Sequence, residues 1–338
     1  MGTSPTPTIS KRVHASGGQH FAGWFNEWKG FEMRLATYVA EGEPPRLGAL
    51  IDGDRLLNLG AAGAAAGMEL PETMLGLLDL GAGGLEQARD AVSRAVRAGL
   101  PTIPVDSVRL LAPLPRPRHV YALAGNYVDH IEESGQKANE KSETTMRPFI
   151  KPSNSVIGPH DPVRLPELSN AVDYEVELAI VIGRRASRVS VEDAPGYIAG
   201  YAVFNDISGR ALTIAEGRKP RDGDGFFDWL LGKWFDSFSV FGPVITTTDE
   251  LDDPHELAIS LSVNGDVRQD GSTAQMIFNS YETVSFLSQV IPLEPGAIIA
   301  TGTPAGVGAV QNRYLNEGDV IEASIAGLGT LRNVVQSG

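Results

Sequence analysis

Asp173-Tyr-Glu-Val-Glu-Leu-Ala-Ile-Val-Ile-Gly183 is the segment that most constrains how this chain folds. In an extended strand, side chains alternate between faces, so Tyr174, Val176, Leu178, Ile180 and Ile182 share one face and Glu175, Glu177, Ala179 and Val181 the other. The first face is apolar throughout. The second opens with two carboxylates, their Cα atoms about 7 Å apart, and continues apolar. A strand covered on both faces buries both carboxylates, which is costly unless they are paired or bind a cation. A hard divalent ion such as Mg²⁺ or Mn²⁺, with oxygen ligands, meets that need. An exposed polar face explains E-x-E equally well and is the commoner case, so the segment alone leaves both readings open.

The rest of the chain narrows the chemistry. Cysteine is absent, which removes disulfides, thiolate nucleophiles and sulfur-ligated metals. A formal net charge of −14 argues against a nucleic-acid backbone as partner, because that needs clustered Lys and Arg. No apolar run approaches the roughly 20 residues of a membrane span. The start, MGTSPTPTISKR, has no apolar signal core, so a cytoplasmic protein is expected; Gly2 and Thr6 also fit the short myristoylation pattern.

Residues 1–32 read as an extension. Phe21, Trp24, Phe25 and Trp28 recur at helical spacing, a stripe suited to packing on the body or on a partner subunit rather than to a substrate lid. From Met33, MRLATYVA, RLGALIDG and RLLNL predict short strands with a turn at Asp52-Gly53-Asp54. The Ala/Gly-rich segment 59–68 gives no signal, and residues 84–99 carry a helical pattern. The Pro-rich stretch 112–118 is taken as a linker, dividing a small domain (33–112) from a main domain (113–338). Beyond it, short strands between Gly, Pro and Asp turns predict a β-rich domain with few helices.

Three further features bear on chemistry. Asp206 ends a second apolar strand, GYIAGYAVFND, and offers a third carboxylate, although Asp is common at strand ends. In GNYVDHIEESG a helix over 127–134 puts His130 and Glu133 on one face, an arrangement suited to acid–base work and equally found on solvated helix faces. The turn ATGTPAGVG presents backbone N–H groups and the Thr303 hydroxyl to an anion, or simply connects two strands. There is no G-x-S-x-G, no H-E-x-x-H and no dinucleotide fingerprint.

Taken in order, GNYVDHIEE, PFIKPSNSVIGP, DYEVELAIVIG, GYAVFNDISGR, GKWFDSFSVFGP, VNGDVRQ, ATGTPAGVG and EGDVIEASIAGLGTLRN resemble the fumarylacetoacetate hydrolase family. The likeness runs from about Arg118 to the C-terminus and more weakly through the segment from Met33. It implies an α+β, β-rich fold: a mixed β-roll catalytic domain behind a small N-terminal α/β domain, assembled as a homodimer. It implies that Glu175, Glu177 and Asp206 hold Mg²⁺ or Mn²⁺, with Ca²⁺ a further ion for such a set in a crystal. His130 and Glu133 would form a catalytic dyad on a mobile lid. Lys233 would supply charge near the reacting atoms, and Lys151, Thr303, Tyr127 and Gly302 would contact substrate. The implied reaction is C–C bond hydrolysis of a small 1,3-diketo acid, such as an acylpyruvate, through an enolate. The alternatives are decarboxylation or enol–keto isomerisation of a keto-diacid on the same site and, more remotely, metal-dependent binding without catalysis. The sequence departs from the family pattern N-D-x-S-x-R-D-x-Q, with Ala211 and Thr213 at the Asp and Gln positions.

Overall fold

The computed structural model describes residues 33–215 and 217–338. The N-terminal extension and its aromatic stripe lie outside the described residues.

The 176–182 strand sits inside the largest sheet, between 198–206 and 298–300. Every one of its seven residues is buried. Val176, Leu178, Ile180 and Ile182 enter one hydrophobic cluster, with Tyr201, Val203 and Val284. Ala179 and Val181 enter a second, with Ala202, Phe204 and Phe241. Two-sided coverage explains the nearly continuous apolar run, and it brings Glu175 and Glu177 into the interior.

From edge to edge this 12-stranded sheet runs 103–104, 55–58, 46–51, 34–39, 239–247, 198–206, 176–182, 298–300, 120–123 and 148–151. Two short strands complete it, 109–110 against 34–39 and 156–157 against 239–247. A five-stranded sheet, 266–272, 258–263, 320–325, 329–337 and 163–165, closes the first cluster. The result is a mixed, sheet-rich fold with few helices.

The strands expected from Met33 onward form an antiparallel meander. Asp52 and Gly53 both take positive φ at the tight turn, which Asp and Gly tolerate. The boundary drawn at residue 112 does not interrupt the sheet, since 34–39 pairs with 239–247. Helix Ala82–Arg97 buries Ala88, Ala91, Val92 and Ala95 in a cluster shared with the main domain. Among the described residues, five α-helices lie where none was expected: Leu59–Ala65, Met74–Asp79, Asp224–Gly232, Gly308–Gln311 and Ser280–Val290. The last begins with a reciprocal cap between Asn279 and Glu282 and buries Val284 and Leu287. Among the described residues, no helix is long and apolar enough to cross a membrane.

Candidate active site

Strand register assembles the carboxylates. Val176 is paired with Asn205 on the neighbouring antiparallel strand, so Asp206 falls beside Glu175; its N–H donates to the Glu175 carbonyl at 2.8 Å. Glu175, Glu177 and Asp206 are 6%, 1% and 1% exposed. One oxygen from each lies within 4.8 Å of the others. The spacing read in the sequence therefore produces a buried three-carboxylate cluster.

Three cations surround it. Lys233 donates at 2.7 Å to Glu175 Oε2 and at 2.7 Å to Asp206 Oδ2. Arg210 binds Glu175 Oε1 and, at 2.9 Å, Asp173 Oδ2. Lys151 bonds Asp206 Oδ1 from behind, the Lys233 carbonyl at 2.7 Å and the Ile207 carbonyl at 3.3 Å. Burial opposes ionisation of Glu175, but Lys233, Arg210 and His130 outweigh it and hold its pKa down to about 2. Burial also opposes the charge on Lys233, yet Asp206 and Glu175 raise its pKa. For Lys151, burial prevails over the attraction of Asp206 and lowers the pKa.

Glu177 differs from its neighbours. Its Oε2 accepts the Gly302 N–H at 2.6 Å, but it makes no ion pair among the described residues. Burial, then Asp206 and Glu175, push its pKa well above the carboxylate range. Such an uncompensated buried acid in an all-oxygen set is what a hard divalent cation would neutralise. The residues present fit one.

The dyad residues meet. On helix Val128–Glu133, His130 Nδ1 lies 2.7 Å from Glu133 Oε1. Glu133 Oε2 accepts the Gly306 N–H at 2.7 Å, so the glycine-rich turn fixes the carboxylate that orients the imidazole. Tyr127, just before this helix, is fully buried, and its hydroxyl has no hydrogen-bond partner. Its pKa is raised by burial, then by Glu177 and Asp129.

Three of the expected substrate contacts take other roles. Lys151 spends its three donors on protein acceptors, so it supports Asp206. Thr303 donates to the Val176 carbonyl at 2.8 Å and accepts from Gln269 at 2.8 Å, which commits its hydroxyl to the loop. The Gly302 N–H is occupied by Glu177. Gly302 takes φ +90°, and an added Cβ would lie 2.9 Å from Asn126 Cβ, so the turn needs glycine there. Ala211 and Thr213, at the departed family positions, are exposed.

Several supporting residues went unassigned in the sequence. Asp173 receives the Gly308 and Ala309 N–H groups at 2.7 and 3.0 Å besides Arg210. Gln269 accepts the Val176 N–H at 3.0 Å while donating to Thr303 and Pro304, tying strand to turn. Asn205 Oδ1 accepts the Glu175 N–H at 2.9 Å. Their motifs, DYEVE, NDISGR and VNGDVRQ, were visible, but their partners lie 30 to 136 residues away.

Residues 119–336 match the family model described as fumarylacetoacetate (FAA) hydrolase C-terminal. The mitochondrial oxaloacetate tautomerase FAHD2A of Homo sapiens is 39% identical over 308 residues, 90% of this chain and 92% of the relative. Among solved structures, the maleylpyruvate hydrolase of Sphingobium sp. SYK-6, in complex with manganese(II) and pyruvate, superposes with a TM-score of 0.70 at 32% identity, covering 90% of this chain and 100% of that one. A fumarylacetoacetate hydrolase from Exiguobacterium antarcticum gives a TM-score of 0.73 at 31% identity, with the same coverage.

Proposed function

The chain belongs to the fumarylacetoacetate hydrolase family, and on that premise we propose that it is a divalent-metal-dependent enzyme interconverting the enol and keto forms of a small 2-oxo diacid such as oxaloacetate. The observation that carries this reading is the His130–Glu133 pair together with a buried carboxylate cluster in which Glu177 makes no ion pair among the described residues. Similarity to the oxaloacetate tautomerase over nine-tenths of the chain supports tautomerisation ahead of the hydrolysis expected from the sequence.

Glu175, Glu177 and Asp206 would hold Mg²⁺ or Mn²⁺, which supplies Lewis-acid stabilisation of a developing oxyanion, a contribution of several kcal/mol. Glu133 anchors His130 Nδ1 and leaves Nε2 free to carry a proton. His130 takes the proton from C3 of the keto acid while the C–H electron pair forms the C2–C3 double bond and charge moves to the C2 oxygen. The proton returns to that oxygen, giving the enol, and the reverse path restores the ketone. Lys233 keeps positive charge beside this chemistry.

Hydrolysis of an acylpyruvate is the second reading, favoured by the likeness to the maleylpyruvate hydrolase. There His130 Nε2 would take a proton from the water that attacks the distal carbonyl. One experiment separates the two. The protein is loaded with Mg²⁺ or Mn²⁺ and given enol-oxaloacetate in deuterated buffer, and acylpyruvates in ¹⁸O-water, with EDTA controls. EDTA-sensitive acceleration of enol loss, with deuterium entering C3, supports tautomerisation. Cleavage with ¹⁸O in the carboxylic-acid product supports hydrolysis. If neither occurs while the metal is bound, catalysis on 2-oxo acids is refuted.

A further inference from the structure

Tyr174 directly precedes Glu175, but its side chain belongs to the cluster beneath the sheet rather than to the carboxylates. The residue is 1% exposed, yet its hydroxyl has no hydrogen-bond partner. It lines a cavity of about 490 Å³ that also receives Arg268 and Arg313. An orphaned hydroxyl in a buried place is costly, and the cavity that this residue lines is also lined by two arginines, so an acceptor bound there would meet a donor set.

The charges in the wall agree. Arg313 makes no ion pair among the described residues, and Arg268, with only 16% of its side chain exposed, has one loose contact of 3.6 Å to the exposed Asp266. The one carboxylate of the wall, Asp319, already accepts from Asn264 Nδ2 at 2.7 Å and from the Asn316 N–H at 2.8 Å. The cavity therefore offers donors in a chain whose formal net charge is −14. Planar guanidinium forks match carboxylate and phosphate oxygens with two parallel hydrogen bonds.

We propose that the cavity bounded by Tyr174, Arg268 and Arg313 is a second binding site, for a small oxyanion (carboxylate or phosphate), separate from the carboxylate cluster. The glycine-rich turn runs between the two sites. Gly306, whose N–H holds Glu133, packs so closely on Arg268 that an added Cβ would lie 2.0 Å from the Arg268 carbonyl oxygen.

The test is calorimetric titration of the full chain in chloride buffer, with inorganic phosphate in one arm and succinate in the other. Saturable one-site binding is expected in at least one arm, and the arm that binds identifies the source of the oxyanion. Arg268→Met and Arg313→Met should each weaken it at least about tenfold. Tyr174→Phe removes only the unpaired hydroxyl, so it should weaken binding about threefold or more while melting temperature holds or rises. Glu177→Gln should leave this binding unchanged. Binding by neither anion, binding insensitive to both Arg variants and Tyr174→Phe, or binding abolished by Glu177→Gln would each overturn the proposal.

Discussion

His130 Nδ1 lies 2.7 Å from Glu133 Oε1, and the other oxygen of Glu133 is held by the Gly306 N–H. Glu133 therefore serves as the acceptor through both of its oxygens. Gln offers one oxygen and one NH₂; with the oxygen kept on the Gly306 N–H, the NH₂ faces His130 Nδ1 and selects the tautomer protonated at Nε2, which can no longer take a proton there. Glu133→Gln should lower kcat by about 10²–10⁴-fold with little change in metal affinity, because neither residue belongs to the cluster. Steady-state kinetics together with a metal titration checks this. Wild-type kcat in the variant would remove Glu133 from the mechanism.

Glu177 carries the pH dependence of the metal-free protein. Its pKa is raised well above the ordinary 4.5, first by burial and then by Asp206 and Glu175. The folded chain thus binds this proton more tightly than the unfolded chain. The group's contribution to stability is complete below about pH 4.5 and is lost as pH rises through the folded value. Glu177→Gln cannot ionise, so without metal it should be more stable than wild type at about pH 8, by an amount on the order of 1 kcal/mol. The difference should vanish toward about pH 4. The same substitution should abolish tight metal binding, which in wild type should strengthen with pH as the proton is displaced. Urea unfolding at several pH values, with and without EDTA, measures both effects, and equal stability at high pH would show that the fold does not raise the Glu177 pKa.

What was legible in the chain followed from local geometry. Alternation placed Glu175 and Glu177 on one face, and helical spacing placed His130 against Glu133. The parts that escaped reading depend on distant pairing. Nothing near Lys151 shows that its acceptors are Asp206, Ile207 and the Lys233 carbonyl, 55 to 82 residues away, so a buried strut looks like a substrate contact. The boundary at residue 112 has the same origin, because the bridge from 34–39 to 239–247 spans some two hundred residues. Helix Leu59–Ala65 was hidden by its composition. Alanine favours helix while glycine does not, and the decisive signal was the Asn58 cap, which accepts the Ala61 N–H at 2.8 Å.

Gly302 joins the turn to the cluster by donating to Glu177 from a left-handed conformation at φ +90°. Alanine there would strain the backbone and meet Asn126 Cβ at 2.9 Å. Asn126 is fixed by bonds to Phe278 and Thr301, so the turn must shift instead. Gly302→Ala should retain the fold but weaken metal binding by about 10–100-fold, the usual cost of losing a partner that orients a ligand. Far-UV circular dichroism and a competitive chelator titration check the two halves, and unchanged affinity would show that Glu177 does not depend on this N–H.

Around helix Asp224–Gly232 lies an apolar surface that water alone should not cover. Phe226 and Phe227 are each 60% exposed, and Ile150 and Trp234 are 53% and 42% exposed. Trp234 Nε1 donates to the Ile150 carbonyl at 2.8 Å, while Phe226 touches both Phe227 and Trp229. Exposed apolar side chains grouped in this way mark an interaction surface, and we propose a second copy of this chain as the occupant. Burying each Phe contributes about 1.5–3 kcal/mol. Phe226→Asp with Phe227→Asp should therefore raise the dimer dissociation constant at least about hundredfold. Activity should fall with dissociation, because Trp229 and Phe149 at the patch lie against Lys233, with ring centroids 5.9 and 5.5 Å from its ammonium. Sedimentation velocity across a concentration series, paired with activity at each concentration, tests the link; a monomeric wild type, or a dimeric double variant, would assign the patch to another partner.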